Sequence, residues 1–354
     1  MSLDFTIIGE NIHTTRILMR SGKRIIEDDN GEEVVSYKDL DGNTHFMPIP
    51  DQIKATKVFT EGRVKHFMVA VILGMSNDPN EREIGEHYIK TEILRQENAG
   101  ATFLDLNVDE ISYKIDIQKA SMKWLIGFYS SVASIPPSID SSSVDIIREG
   151  LNEYKSNNQP QGVPMINSAS LERLSVLDDV SQNNTFVMIT AAGFDSMPED
   201  DEERLSNVSK MILECDKRDI PLSKIHVDPL LFPISVDKRF GNHFLDSISG
   251  IRKKFGNEIH ISGGMSNVSF GLPARKLIND TLIKLSIDAG ANSGIVNPLE
   301  SDIQKIQNMD LDSGPVKIAS DMLLGNDEYC MNFISQFREG NLKLQVPLTY
   351  FQTY

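Results

Sequence analysis

Five short apolar runs in this sequence each end in polar side chains able to grip a ligand. They read Leu104-Asp-Leu-Asn107, Ile139-Asp-Ser-Ser-Ser143, Met165-Ile-Asn-Ser168, His226-Val-Asp-Pro-Leu230 and Ile259-His-Ile-Ser-Gly-Gly-Met-Ser-Asn-Val-Ser269. Asp and Asn disfavour strand interiors and are costly to bury unpaired. Any one of them alone would serve as the cap of a following helix, because Asp, Asn and Ser accept from the first free N–H groups. That reading suits Ser141, Ser142, Ser143 and Ser168. For Asp105, Asp140, Asn167, Asp228 and Asn267, five separate caps is a weaker account than one polar cup. The last run also carries Gly263 and Gly264, which have no Cβ and let backbone approach a ligand closely, with Ser266 and Asn267 directly after them.

Carboxylates and carboxamides, with no cluster of Lys or Arg and no phosphate-binding glycine fingerprint, suit a flat, neutral ligand rich in N–H groups. Carboxylates accept from adjacent N–H and amino donors, and carboxamides match edges that mix donors with acceptors. A pterin ring has such an edge. A divalent cation is the rival occupant, since Asp105, Asp140 and Asp228 offer oxygen ligands for magnesium. His226 lies within an apolar run, and His243 and His260 have no partner at ligand spacing, so these histidines read as structural or exposed. Cys215 and Cys330, the two cysteines, are far apart. They argue against a disulfide framework and a thiolate metal site, and fit a reducing compartment.

The elements that must position these residues follow from periodicity. Helices are expected over 81–98, 116–132, 142–154, 169–180, 199–218, 240–254 and 273–288, and strands over 101–106, 135–139, 163–166, 185–190, 223–227, 257–261 and 291–296. With a first strand over 4–10 this makes eight strands. Alternation of this kind demands parallel strands joined by helical crossovers. Eight units specify a closed (β/α)8 TIM barrel better than an open sheet, and its active site lies at the C-terminal strand ends, where the five runs finish.

Residues 14–66 break the pattern. Their Asp29-Asn-Gly31 and Asp41-Gly-Asn43 turns flank short runs such as Glu33-Val-Val-Ser-Tyr37, which predicts a β-rich insertion of hairpins after the first strand, where the strand end carries Glu10, Asn11 and His13. The apolar run over 67–74 either re-enters the core or pairs with the insertion. A helical extension is expected over 300–354, with an extended end from 342, so that 1–354 reads as a single domain. Lys and Arg number 35 against 51 Asp and Glu, a net charge of -16, which disfavours nucleic acid and anionic membranes as partners. No apolar stretch approaches membrane-spanning length, and the N-terminus lacks a basic region followed by an apolar run. A soluble, cytoplasmic protein is expected.

The five runs, with the opening Ile7-Ile-Gly-Glu-Asn-Ile12, resemble those of the pterin-binding methyltransferases. That family includes the methyltetrahydrofolate:corrinoid protein methyltransferases and the folate-binding domain of cobalamin-dependent methionine synthase. The resemblance covers roughly 5–13 and 80–300, in order. It implies a barrel, often a homodimer, that moves a methyl group between N5 of 5-methyltetrahydrofolate and the cobalt of a cobalamin, in one-carbon metabolism or demethylation. Carried over by position, it implies that Asp228 takes the 2-amino and N3–H edge of the pterin and that Asp140 and Asn167 hold the other ring nitrogens. Asp105 and Asn107 would complete the wall, Gly264 and Ser266 would line it, and Asn267 would reach N5 as the catalytic residue. Arg275 is similar to an arginine near the same rim, placed to meet the tail carboxylates or the corrinoid. No metal ion is implied. The 354 residues hold no corrinoid-binding Asp-x-His-x-x-Gly motif and no homocysteine or zinc module, so the cobalamin is expected on a separate corrinoid protein.

Two alternatives stand beside this one. Dihydropteroate synthase is similar in its Asp and Asn strand ends, but needs a basic loop for diphosphate departure where this chain has Gly-Gly-Met-Ser-Asn and Ser293-Gly-Ile-Val-Asn-Pro298. A non-catalytic pterin-binding subunit would need only the carboxylate side of the cup, and Asn267 beside the glycines speaks against it.

Overall fold

The computed structural model describes residues 5–158 and 161–342. Its barrel strands are β1 (Thr6–His13), β2 (Phe103–Asn107), β3 (Pro137–Asp140), β4 (Met165–Ala169), β5 (Phe186–Thr190), β6 (Ile225–Asp228), β7 (His260–Ile261) and β8 (Ser293–Val296). They form one sheet in the order β7-β6-β5-β4-β3-β2-β1-β8. Between successive strands lie α1 (Pro79–Asn98), α2 (Ile115–Val132), α3 (Val144–Ser156), α4 (Ser175–Asn183), α5 (Asp201–Asp216), α6 (Phe240–Phe255) and α7 (Arg275–Ala289). The fold is thus the (β/α)8 TIM barrel that the alternation predicts. By contact density the chain divides into two units. One takes in residues up to Gly9, Ala101–Phe103 and the chain from Val163, and the other takes in Glu10–Gly100 and Leu104–Gly162.

In the first unit β1 pairs with β8, β4 with β5, β5 with β6 and β6 with β7, all in parallel. The glycines cut β7 to two residues. Backbone bonds continue past them, from Asn292 N to Ile261 O at 3.2 Å and from Ile295 N to Gly263 O at 2.9 Å, and Gly264 bridges Ile295. These contacts link the two ends of the strand order.

The strand period of two puts Met165 and Asn167 on one face of β4, Phe186, Met188 and Thr190 on one face of β5, and His226 and Asp228 on one face of β6. Met165 and Met188 pack with Ile8 and Phe103, and Phe186 and Ile295 close over them. Each such side chain contributes roughly 2 kcal/mol by leaving water, and a slip of one residue would forfeit all of it. The register that buries the methionines therefore fixes where Asn167 and Asp228 emerge. His226 belongs to the apolar layer: it stacks on His260 at 4.4 Å and 10°, and its Nδ1 meets Ser293 Oγ at 3.0 Å. Burial pushes its pKa well below the ordinary value, so it stays neutral. The structural reading of His226 and His260 holds, while His243 pairs at 2.8 Å with Asp201 Oδ1.

In the second unit β2 and β3 are parallel, and the insertion folds as expected into an antiparallel sheet of Ile25–Glu27, Glu33–Lys38 and Thr44–Pro48. Its turns place Gly31 and Gly42 at φ of 78° and 85°, a region open to glycine. The sheet leans on α1, where the Tyr88 hydroxyl accepts from Arg24 Nη2 at 2.8 Å and meets His66 Nδ1 at 2.7 Å. Of the two readings of the run over 67–74, re-entry into the core holds. The run is the buried helix His66–Gly74, because an all-apolar run suits a buried helix as well as a strand and α1 offers a groove at Gly85. A Cβ on Gly85 would lie 2.3 Å from Gly74 N and 2.5 Å from Ala70 O.

Several boundaries move. The helix expected from 169 begins at Ser175 because β4 continues to Ala169, and β1 runs on through Glu10, Asn11 and His13. The C-terminal extension contains helices Ile303–Gln307, Gly314–Leu323 and Met331–Arg338. The extended end expected from 342 falls, past Leu342, outside the described residues. No described helix is long and apolar enough to cross a membrane.

Candidate functional site

Two polar clusters form at the C-terminal strand ends, one in each unit. In the second unit the register sets Asp105 opposite Ser138 and Asn107 opposite Asp140. Ser138 Oγ donates to the buried Asp105 Oδ1 at 2.6 Å, and Asn107 Nδ2 donates to Asp140 Oδ2 at 2.8 Å. The Asn107 amide is oriented by Asp109 N, which donates to its Oδ1 at 2.9 Å. His13 adds a contact that the sequence did not single out: its Nε2 lies 3.5 Å from Asp140 Oδ2. Thr15 N donates to His13 Nδ1 at 3.2 Å, so in the neutral ring the proton sits on Nε2 and faces the carboxylate.

In the β3–α3 loop Ser141 Oγ accepts from Ser143 N at 3.0 Å, just before α3, and the serines also bond Asp109. Ser141 Oγ donates to Asp109 Oδ1 at 2.5 Å, and Ser142 donates its N and Oγ to Asp109 Oδ2 at 2.8 and 2.7 Å. Ser143, at the N-cap of α3, makes no side-chain cap bond. Ser168 accepts from Arg173 Nη2 at 3.0 Å, well ahead of α4. The loop needed an anchor, and Asp109 supplies a negative one that three donors neutralise.

In the first unit Asp228 ends β6. Its Oδ1 accepts from Leu230 N at 2.8 Å, and a Cβ on Gly263 would stand 3.5 Å from the same oxygen, so the carboxylate faces bare glycine backbone. Surrounding protein pushes the Asp228 carboxyl up to about 6, although the Leu230 N–H and the Arg204 charge act against the shift. The side chain keeps some solvent contact, so the cause is the density of protein around it and not complete removal from water. Arg204 is the residue that the sequence concealed. It is fully buried and donates to Pro229 O at 2.9 Å, Asp200 O at 2.9 Å and Leu230 O at 3.4 Å, with its guanidinium 5.2 Å from the Phe232 ring. Its charge thus reaches Asp228 through the backbone that Asp228 begins. The one signal was its place in the buried stripe of α5 with Val208, Met211 and Cys215, where an arginine is out of character.

The glycine run leads into a tight turn, Met265–Ser269. Asn267 is exposed there, and its Nδ2 would stand 2.8 Å from a Cβ on Gly264, so the carboxamide folds over that glycine. Arg275, at the start of α7, donates Nε to Ser269 Oγ at 3.0 Å and Nη2 to Ser266 O at 2.9 Å. Those donors brace the turn that carries Asn267. Asn167, nearly buried, is in register with Met188 on β5, whose Thr190 faces Asp228. The first unit therefore joins Asp228, Gly263, Gly264 and Asn267, and the second joins Asn107, Asp140 and His13.

Residues 88–297 match the family described as pterin binding enzyme. A methylcorrinoid:tetrahydrofolate methyltransferase of Eubacterium limosum is 29% identical over 266 residues, covering 73% of this chain and 90% of its own. A methionine synthase of Mycobacterium leprae is 25% identical over 234 residues, 61% of this chain, which correspond to 19% of that longer protein. Xanthomonas albilineans dihydropteroate synthase superposes with a TM-score of 0.51 at 14% identity, over 65% of this chain and 86% of its own. At that identity the likeness is one of fold alone.

Proposed function

This chain belongs to the pterin binding enzymes, and from that premise we propose that it is a methyltransferase moving a methyl group between folate N5 and the cobalt of a cobalamin on a separate corrinoid protein. The observation that carries the reading is the Asp228 carboxylate facing the Cβ-free backbone of Gly263, with the Asn267 amide folded over the next residue, Gly264. The relative of Eubacterium limosum supports it, being named a methylcorrinoid:tetrahydrofolate methyltransferase. The same reading makes the protein a cytoplasmic homodimer of one-carbon metabolism or demethylation, with 14–66 and 300–354 added to one pterin-binding domain.

Asp228 accepts from the 2-amino and N3–H donors of the pterin, which restores its charged form. Asp140 and Asn167 hold the other ring nitrogens. Asp105 and Asn107 complete the wall, and Gly264 and Ser266 line it. Asn267 serves N5. Its oxygen accepts from N5–H of tetrahydrofolate, whose proton passes to solvent as N5 takes the methyl group, and in the reverse direction its N–H groups stabilise the electron pair that N5 regains as the C–N bond breaks and a solvent proton is taken up. A contact that strengthens as charge develops lowers the barrier more than it tightens binding. Arg275 braces the turn and keeps donor capacity for the folate tail or the corrinoid. The corrinoid supplies the cobalt that carries or receives the methyl group.

The test is anaerobic and spectroscopic. Methylcobalamin with tetrahydrofolate, then cob(I)alamin with 5-methyltetrahydrofolate, are each mixed with the protein while the cobalt absorption is followed. Protein-dependent loss of the methylcobalamin spectrum with formation of 5-methyltetrahydrofolate is expected. No spectral change either way, together with release of dihydropteroate from a dihydropterin diphosphate and 4-aminobenzoate, would replace the reading by the synthase one.

A further inference from the structure

Away from the strand ends, the inserted sheet and α1 bring together Asp39, His45 and His87, with one ligand atom from each lying within 4.8 Å of the others. Asp39 stands in the turn between Glu33–Lys38 and Thr44–Pro48, His45 on the second of these strands and His87 on α1. All three are half-buried. We propose that they bind a divalent first-row transition metal, with zinc the ion their chemistry suits, and that this ion fastens the insertion to α1.

Each ligand is already aimed. Asp39 Oδ1 accepts from Asp41 N at 3.0 Å and Asn43 N at 2.8 Å, while Oδ2 accepts from Asn43 Nδ2 at 3.1 Å and lies 2.8 Å from His45 Nε2. The Tyr37 hydroxyl meets His87 Nδ1 at 2.8 Å, so Nε2 is the nitrogen that His87 offers. A hydrogen bond on the second ring nitrogen is the usual support of a metal-binding histidine. Tyr37 also stacks on His45 at 5.5 Å, and the two imidazole centroids lie 4.4 Å apart. One tyrosine therefore orients both rings. A clamp for the hairpin would need only Asp39 and His45; Tyr37 and His87 add nothing to it.

Two imidazoles and one carboxylate, with a fourth position left for water, form a set that zinc accepts in tetrahedral geometry. Magnesium and calcium favour more ligands, all oxygen.

The full chain, stripped with a chelator and dialysed, is titrated with Zn2+ by calorimetry and with Co2+ by visible absorption. One ion per chain is expected with a Kd of about 10 µM or tighter, and cobalt bands of a four- or five-coordinate site. His87→Ala and Asp39→Asn are each expected to weaken zinc at least about tenfold, and Tyr37→Phe by about tenfold through the loosened ring. Asp39→Asn keeps the oxygen that the hairpin amides use, so it tests the site even if His87→Ala misfolds by circular dichroism. Absence of a saturable zinc isotherm in the parent, or equal affinity in parent and Asp39→Asn, overturns the proposal.

Discussion

At the residue scale the proposed chemistry turns on two side chains whose environments differ. Asp228 is crowded and its carboxyl titrates near 6, above the ordinary 3.8. A raised acid pKa means that the folded state holds this proton more tightly than the unfolded chain, so the ionised carboxylate costs stability at neutral pH. That cost is relieved as the pH falls through about 6 towards the ordinary value. Asp228→Asn is therefore expected to melt higher than the parent at pH 7.5, with the gap closing below pH of about 4, while folate affinity falls at least about tenfold. Paired thermal melts and calorimetry check both halves, and a variant that binds folate as the parent does would remove Asp228 from the site. In the parent, folate binding should weaken about tenfold per pH unit below about 6, since donors need the charged form. Asn267 is exposed and has the opposite profile. Asn267→Ala should bind 5-methyltetrahydrofolate within about tenfold of the parent yet transfer methyl groups about 100-fold more slowly. Equal single-turnover rates would reject its role at N5.

At the element scale, glycines decide which backbones meet. Gly264 and Gly85 both sit where a Cβ would be too close to a neighbour, but the neighbours differ. At Gly264 it is the end of a flexible side chain, Asn267 Nδ2 at 2.8 Å, and at Gly85 it is backbone, Gly74 N at 2.3 Å. Gly264→Ala should fold normally and lose transfer rate, because only the carboxamide moves. Gly85→Ala should cost about 3 kcal/mol or more, since the two helices must part. Denaturant titration beside a turnover assay separates the two, and the order reversed would mean that Asn267 is not held by the turn. The helix over His66–Gly74 depends on the same crossing, which is why its apolar run could not be told from a strand.

At the scale of the whole molecule, the net charge of -16 bears on how the proposed corrinoid partner is met. An acidic surface slows encounter with other polyanions and speeds it with basic patches. Methyl transfer from a protein-borne methylcorrinoid should therefore change with ionic strength, whereas transfer from free methylcobalamin should not. Stopped-flow traces at about 10 and about 200 mM salt compare the two, and equal salt dependence would place the effect within the active site.

The sequence by itself determined the barrel, the hairpins of the insertion, the positions of Asp105, Asn107, Asp140, Asn167 and Asp228 on their strands, and that of Asn267 after the glycines. Periodicity and turn chemistry are local, and each residue's place on its strand follows from counting. Only the tertiary structure decided which of those side chains meet. It paired Asn107 with Asp140 through strand register, brought His13 to them from a strand far earlier in the chain, set Arg204 behind Asp228 and turned the loop serines to Asp109. It also gathered Asp39, His45 and His87 from a hairpin and a helix. Contacts of that kind depend on distances between elements remote in sequence, and no periodicity records them.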